Sequence, residues 1–243
     1  MKSSNKILRY ERKYWIPRSS VEYLTRILPK LMLTDENAIN EGYIVSSIYY
    51  DTRFDSALLE KLDGVRERRK FRVRCYNHDW SYSKFEVKEK IDEYISKASE
   101  ILPSNLLDAI SLDPGRHRRL TDYLESKEII HPSYGFADFK PVCTVDYQRK
   151  AFYLPYDNIR VTIDSDLKSY GYCAKVEPYN FLRQKLFTEN LAILEVKFKT
   201  ALPKYLEKIL ANVPAKRSAI SKYVLARKRA QVTRSHDEIV IAR

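Results

Sequence analysis

The sequence predicts an α+β chain, a closed β-barrel of seven or eight strands with helices packed outside it. Three observations predict this. Seven segments alternate apolar and polar residues with a period of two, an eighth does so more weakly, and the polar side of five of them is dense with charge. Amphipathic helical patterns are available to cover the apolar sides. If they do, the charged sides turn inward around a polar, water-filled lumen.

The alternation runs over 7–16, 43–51, 66–76, 83–95, 139–154, 158–164 and 190–199, with the weaker candidate at 170–177. In 66–76, Arg66, Arg68, Lys70, Arg72 and Arg74 share one face and Phe71, Val73 and Cys75 the other. Glu86, Lys88 and Lys90 oppose Phe85 and Val87; Glu195, Lys197 and Lys199 oppose Leu194, Val196 and Phe198. Arg9, Glu11 and Lys13 share a face of the first strand, and Arg160, Thr162 and Asp164 oppose Val161 and Ile163. One such strand is what a solvated sheet face looks like. Five together point inward.

Helices are expected at 19–32, through Val21, Leu24, Ile27, Leu28 and Leu31, and at 203–212, through Tyr205, Leu206, Ile209 and Leu210. Two more are expected within 99–128, broken near Asp113, Pro114 and Gly115, and a last one over 218–229 behind a Ser218 cap. The absence of a linker makes 1–230 one expected domain, followed by a polar tail, 231–243.

Across 243 residues, 44 Lys and Arg stand against 32 Asp and Glu, a formal charge of +12 that makes an anionic partner the first expectation. The five glycines are too far apart for a glycine-rich phosphate loop, so phosphates would have to be held by side chains: Arg for its planar fork, Lys as a point charge. Cys75, Cys143 and Cys173 form neither a disulfide framework nor a CxxC site, which points to a reducing cytoplasm. A metal would need carboxylates, because His78, His117, His131 and His236 lack ligand spacing. The N-terminus lacks a signal-peptide pattern, and no apolar run has the length of a membrane span.

In order along the chain, RYERKY (9–14), SIYYDT (47–52), KLDG (61–64), RKFRVRCY (69–76), FEVKEK (85–90), YQRKAF (147–152), IRVTID (159–164), LEVKF (194–198) and SKY (221–223) resemble the polyphosphate polymerase domain of the yeast vacuolar transporter chaperone complex and its bacterial relatives, within the triphosphate tunnel metalloenzyme superfamily. The resemblance implies a tunnel of eight antiparallel strands, with the last helix near its mouth. It also implies transfer of the γ-phosphate of ATP onto phosphate or polyphosphate with Mn²⁺ or Mg²⁺. By the same resemblance Lys13, Arg72, Arg74, Lys88, Lys97, Arg149, Arg160, Lys197 and Lys222 contact phosphates, and Arg72, Arg74, Lys88, Arg149, Arg160 and Lys222 carry the catalysis. Glu195 is the implied metal ligand, and Lys61, Glu11 and Glu86 are lesser candidates.

The hydrolytic branch of that superfamily carries ExExK on its first strand, where this chain has RYERK, with one glutamate replaced by Arg or Tyr according to register. That departure favours a polymerase. The membrane spans of the yeast complex are missing, so coupling to a membrane would need a separate partner. Two other functions use the same residues: a hydrolase with water as nucleophile, and a non-catalytic binder of polyphosphate or RNA. Nucleic acid is not the expected partner, because the basic residues follow strand faces rather than spreading over an exposed patch.

Overall fold

The computed structural model describes residues 10–35, 42–92, 94–110, 113–155, 158–171, 184–186 and 191–229. Its strands are β1 (Tyr10–Pro17), β2 (Leu33–Thr34), β3 (Tyr43–Thr52), β4 (Glu67–Tyr76), β5 (Asp79–Ile91), β6 (Tyr94–Ile101), β7 (Phe139–Leu154), β8 (Ile159–Gly171), β9 (Gln184–Lys185), β10 (Leu191–Phe198) and β11 (Lys216–Arg217). Its helices are α1 (Arg18–Ile27), α2 (Ser56–Leu62), α3 (Pro114–Ser126) and α4 (Lys204–Ala211), with α5 at 222–229. The expected tail, Cys173, His236 and most of the strand at 170–177 lie outside the described residues.

The strands form one antiparallel sheet in the order β11-β1-β10-β8-β7-β3-β4-β5-β6, with β2 beside β7 and β9 beside β8. The α+β class is as expected; the closed barrel of eight strands is not what the pairing gives. Three two-residue strands join the longer ones, and the order has two ends. The cause is local. At Tyr14 and Trp15 the outer edge of β1 is taken by β11, and among the described residues β6 pairs with β5 alone.

The described residues group into two compact units, one within Met1–Ile44, Tyr147–Leu167 and Phe187–Ile220, the other within Val45–Asp146, Lys168–Leu186 and Ser221–Arg243. In the first unit, Ile16, Val161, Ile163, Leu194, Val196 and Phe198 project from the sheet onto Leu24 and Leu28 after β1 and Leu206 of α4. In the second, Phe71, Val73, Phe85 and Val87 meet Leu120 and Leu124 of α3 and Phe136. Each apolar strand face is thus covered within its own unit, and the period of two puts the charged residues of the same strands on the other face.

Short-range chemistry sets the boundaries. The β4–β5 hairpin turns through Asn77 and His78, both left-handed (φ 51° and 60°), as a two-residue turn of twisted strands requires. The expected strand 83–95 is really two, because the chain reverses near Asp92 (φ 52°), and the helix expected from 99 gives way to β6 and a short 3-10 turn at Ser104–Ala109. Asp113 accepts the Arg116 amide at 2.9 Å and so caps α3, with Pro114 in its first turn. At Gly42 (φ 125°) a Cβ would lie 2.5 Å from the Arg149 carbonyl oxygen, so only glycine lets the chain enter β3 there.

Phe136 packs on Phe71, Phe85 and Tyr50 with ring centroids 5.0, 5.1 and 5.4 Å away. Phe136→Ala should cost about 3–5 kcal/mol in urea denaturation. Phe54→Ala, at a side chain on the surface, should stay within about 0.5 kcal/mol.

Candidate phosphate-binding site

The second unit carries the more basic face. Register places Arg68 opposite Lys90, Lys70 opposite Lys88, Arg72 opposite Glu86 and Arg74 opposite Lys84 across β4 and β5. Lys88 in turn stands opposite Lys97 of β6. Directly opposed like charges destabilise a sheet, and here they occur in three rungs of four. The carboxylate of Glu86 is the counter-charge: its Oε2 accepts from Arg72 Nε at 2.5 Å and lies 3.6 Å from Arg74 Nη1, and its Oε1 is paired with Lys97. Burial pushes the Glu86 carboxyl upward, but Arg72, Arg74 and Lys97 together outweigh it and hold the pKa at about 2. Its contribution to stability is therefore complete above its ordinary value of 4.5 and is lost as the pH falls toward about 2. Arg74 Nε also donates to Ser47 Oγ at 3.2 Å.

At the end of this face, α5 is fixed by a buried cluster. Asp51 has no exposed surface; its Oδ1 accepts the amides of Thr52 and Ala57, both at 2.8 Å, and its Oδ2 accepts Leu58 N at 3.1 Å and the Tyr223 hydroxyl. One carboxylate thus caps α2 and holds α5. Arg227 Nη2 donates to Asp55 Oδ2 at 2.7 Å, one helical turn beyond Tyr223. Burial and the Asp51 carboxylate both keep the Tyr223 phenol protonated, far above its ordinary pKa. Lys70 Nζ donates to Ser221 Oγ at 3.2 Å and lies over the rings of Tyr223 (5.2 Å) and Tyr49 (5.6 Å). The half-buried Lys222 therefore begins its helix beside the cationic face of β4.

In the first unit the face is mixed in charge. Glu11 stands opposite Lys197 and Lys13 opposite Glu195 across β1 and β10, and Glu195 and Lys197 stand opposite Thr162 and Arg160 of β8. Lys13 Nζ lies 2.9 Å from Glu11 and 3.7 Å from Glu195, while Lys197 Nζ lies 2.7 Å from Glu195 and 4.0 Å from Glu11. Arg149 forks onto Asp164, at 2.7 Å from Nε and 2.8 Å from Nη2. Burial opposes the Arg149 charge, but Asp164 more than offsets this and raises its pKa well above the ordinary value. Arg160 Nη2 donates to Asp35 Oδ2 at 2.7 Å and to the Tyr43 hydroxyl at 3.3 Å.

Among the described residues no group of three or more His, Cys, Asp or Glu is placed to hold a metal alone. A hard cation that shares its shell with phosphate and water needs only one or two carboxylates. Glu195 and Glu11 supply those, and the Thr162 hydroxyl, opposite Glu195, is buried with no hydrogen-bond partner among the described residues. This oxygen-rich donor set fits Mg²⁺ or Mn²⁺.

A family model described as the VTC domain matches residues 8–230. The chain belongs to the VTC domain family. No curated protein sequence matches it. Among solved structures, a suggested adenylate cyclase from Bacillus halodurans is 13% identical, with 86% of this chain and 88% of that one covered and a TM-score of 0.45. A protein from Pyrococcus horikoshii is 15% identical over 90% of this chain and 99% of its own, at 0.44. The Mimivirus capping-enzyme triphosphatase is 12% identical over 83% and 87%, at 0.36.

Of the residues that the sequence singles out in this VTC domain, Arg72, Arg74, Lys88, Lys97 and Lys222 fall in the second unit, and Lys13, Arg149, Arg160, Glu195 and Lys197 in the first. Arg72, Arg74 and Lys97 converge on Glu86; Lys13 and Lys197 converge on Glu11 and Glu195. Arg149 and Arg160 each rest on a separate carboxylate. Lys61 lies in the last turn of α2. Sequence reasoning missed Asp51, Tyr223, Asp35 and the clamp of Asp164 on Arg149. Asp164 left a signal through its place on the face of Arg160, and Asp51 and Tyr223 lie within the segments SIYYDT and SKY without having been given a role. Cys75 and Cys143 are buried thiols whose pKa burial pushes up to about 12, and they are inert. His117 is a core residue bonded to the Phe136 carbonyl oxygen at 3.2 Å.

The buried bond between Tyr223 and Asp51 gives a stability test. Tyr223→Phe should cost about 1.5–3 kcal/mol in urea denaturation, the range for a hydrogen bond to a charged group. Asp51→Ala should cost more, because it also strands the amides that begin α2.

Proposed function

We propose that this VTC domain is a metal-dependent phosphoryl transferase that moves the γ-phosphoryl group of ATP onto phosphate or polyphosphate and releases ADP. The observation that carries this reading is the face of β4, β5 and β6, where Lys and Arg stand directly opposite Lys and Arg with one carboxylate among them. Such an excess of positive charge on one face attracts polyanions, and a phosphate chain is the simplest polyanion that side chains alone can hold.

A terminal phosphate oxygen of the acceptor forms the new bond to the γ-phosphorus while the bond from that phosphorus to the β-bridging oxygen breaks, and ADP leaves with that oxygen. The acceptor is already anionic near neutral pH, so no side-chain nucleophile is needed. What the protein supplies is positioning and neutralisation of developing charge. Arg72, Arg74, Lys88, Lys97 and Lys222 hold phosphate oxygens in the second unit, and Lys13, Arg149, Arg160 and Lys197 do so in the first. A divalent cation, when bound by Glu195 and Glu11 with Thr162 beside them, supplies further neutralisation of phosphate oxygens.

The first strand supports transfer over hydrolysis. Glu11 and Lys13 share one face of β1, paired with Lys197 and Glu195, so the position of the first glutamate of ExExK falls on Arg9. A cation replaces a carboxylate there. The partners that suit the site are ATP and inorganic phosphate or polyphosphate. No described helix is long and apolar enough to cross a membrane.

The product decides between the functions. Protein, ATP and Mn²⁺ should yield a ladder of long chains on a gel stained for polyphosphate, with ADP released in step. Orthophosphate appearing with ADP and no chains would make the protein a hydrolase; tight polyphosphate binding without nucleotide turnover would make it a binder.

Glu195→Gln keeps the side-chain shape and removes the charge, so turnover should fall by about 100-fold or more, the scale of losing a major charge-stabilising group. The melting temperature should barely change. A variant whose response to Mn²⁺ matches the wild type would show that Glu195 serves only its ion pairs with Lys13 and Lys197.

A further inference from the structure

We propose that Glu86 is a positioning residue for the phosphate chain, a buried counter-ion that fixes Arg72, Arg74 and Lys97 under the ligand and keeps their grip weak enough for the chain to move. The inference rests on the cationic face of the second unit being the phosphate site.

Depth separates Glu86 from a competitor for the ligand. Its side chain is 6% exposed, whereas those of Arg72 and Lys97 are 23% and 53% exposed. A ligand arriving from solvent meets Arg72 and Lys97 first, with the carboxylate behind them, while Arg74, 9% exposed, lies nearly as deep as Glu86. The three cations come from the two strands that flank β5, Arg72 and Arg74 from β4 and Lys97 from β6, and converge on the two oxygens of Glu86, Arg72 and Arg74 on Oε2 and Lys97 on Oε1. Long cationic side chains lose much rotamer freedom when they are fixed. Glu86 bears that cost before the ligand arrives, which is preorganisation. In the neighbouring rungs Lys70 stands opposite Lys88, Lys88 opposite Lys97 and Arg68 opposite Lys90.

The charge has a second effect. Tight uniform binding of substrate and product does not raise turnover, and a chain that grows must be released from each contact in turn. One negative charge about 6 Å from a bound phosphate weakens the binding of that phosphate by about 1.4 kcal/mol at an effective dielectric of about 40. A residue that only stabilised the fold would not affect ligand affinity in this direction.

The test is Glu86→Gln, which removes the charge and keeps the shape. Calorimetric titration with tripolyphosphate should show Kd falling by about tenfold, the fold-change of that 1.4 kcal/mol. ADP release from ATP with Mn²⁺ should slow by about tenfold or more as the three cations lose their fixed geometry. Glu86→Asp, which keeps the charge but withdraws it, should leave Kd within about twofold and still slow turnover. It carries the test if the Gln variant does not fold.

Unchanged or weaker tripolyphosphate binding by the folded Gln variant overturns the proposal. So does a raised Mn²⁺ requirement with binding unmoved, which would make Glu86 a metal ligand. The Arg72→Ala, Arg74→Ala double variant separates the two levels. If it binds tripolyphosphate as well as the wild type, the phosphate-site reading fails and Glu86 with it. If it binds weakly and Glu86→Gln binds no tighter than wild type, the Glu86 proposal alone fails.

Discussion

Lysine facing lysine across an antiparallel ladder is an arrangement that a soluble sheet normally avoids, because the side chains of a directly opposed pair lie within about 5.5 Å of each other. Between β4, β5 and β6 this happens at Lys70, Lys88 and Lys97 and again at Arg68 and Lys90. The register cannot slip to relieve it. A one-residue shift would turn Phe71, Val73, Phe85 and Val87 out of the core they share with α3. The apolar face thus holds the charged face in its unfavourable geometry.

Compensation is handled differently in the two units. In the second, one buried carboxylate serves three cations, Arg72, Arg74 and Lys97. In the first, carboxylates nearly match cations: Glu11 and Glu195 with Lys13 and Lys197, Asp164 with Arg149, Asp35 with Arg160. A balanced face holds its side chains in fixed positions at little electrostatic cost, and its carboxylates offer the hard oxygens that a divalent cation requires. An unbalanced face attracts polyanions from solution.

The terminal helix shows how a residue far along the chain is brought to such a face. Asp51 satisfies the first amides of α2 and the Tyr223 hydroxyl at once, and the Arg227–Asp55 pair adds a second fastening one turn on. These two fastenings on α5 accompany the bond from Lys70 to Ser221 just before the helix. Burial of Asp51 without these donors would carry a penalty of several kcal/mol, so the carboxylate and its partners stand or fall together.

The sequence by itself determined which residues share a face. Alternation with a period of two is a property of the strand backbone, so Arg72 with Arg74, Glu86 with Lys88, Glu195 with Lys197 and Arg160 with Thr162 could be grouped from the chain alone, as could the helices at α1 and α4. Local signals misled at particular places: the turn near Asp92 has no glycine to announce β6, and Ser221, not Ser218, stands at the start of α5, where its hydroxyl accepts the Val224 amide. Only the tertiary structure decided which strands are neighbours, hence that Lys70 opposes Lys88, that Glu86 gathers three cations, that Asp164 clamps Arg149, and that among the described residues the sheet order ends at β11 and β6. Those outcomes depend on pairing between segments that can lie far apart in the chain, as Tyr14 of β1 and Arg217 of β11 do. Pairing at such distance is chosen by the packing of two cores and leaves no periodic trace in the chain.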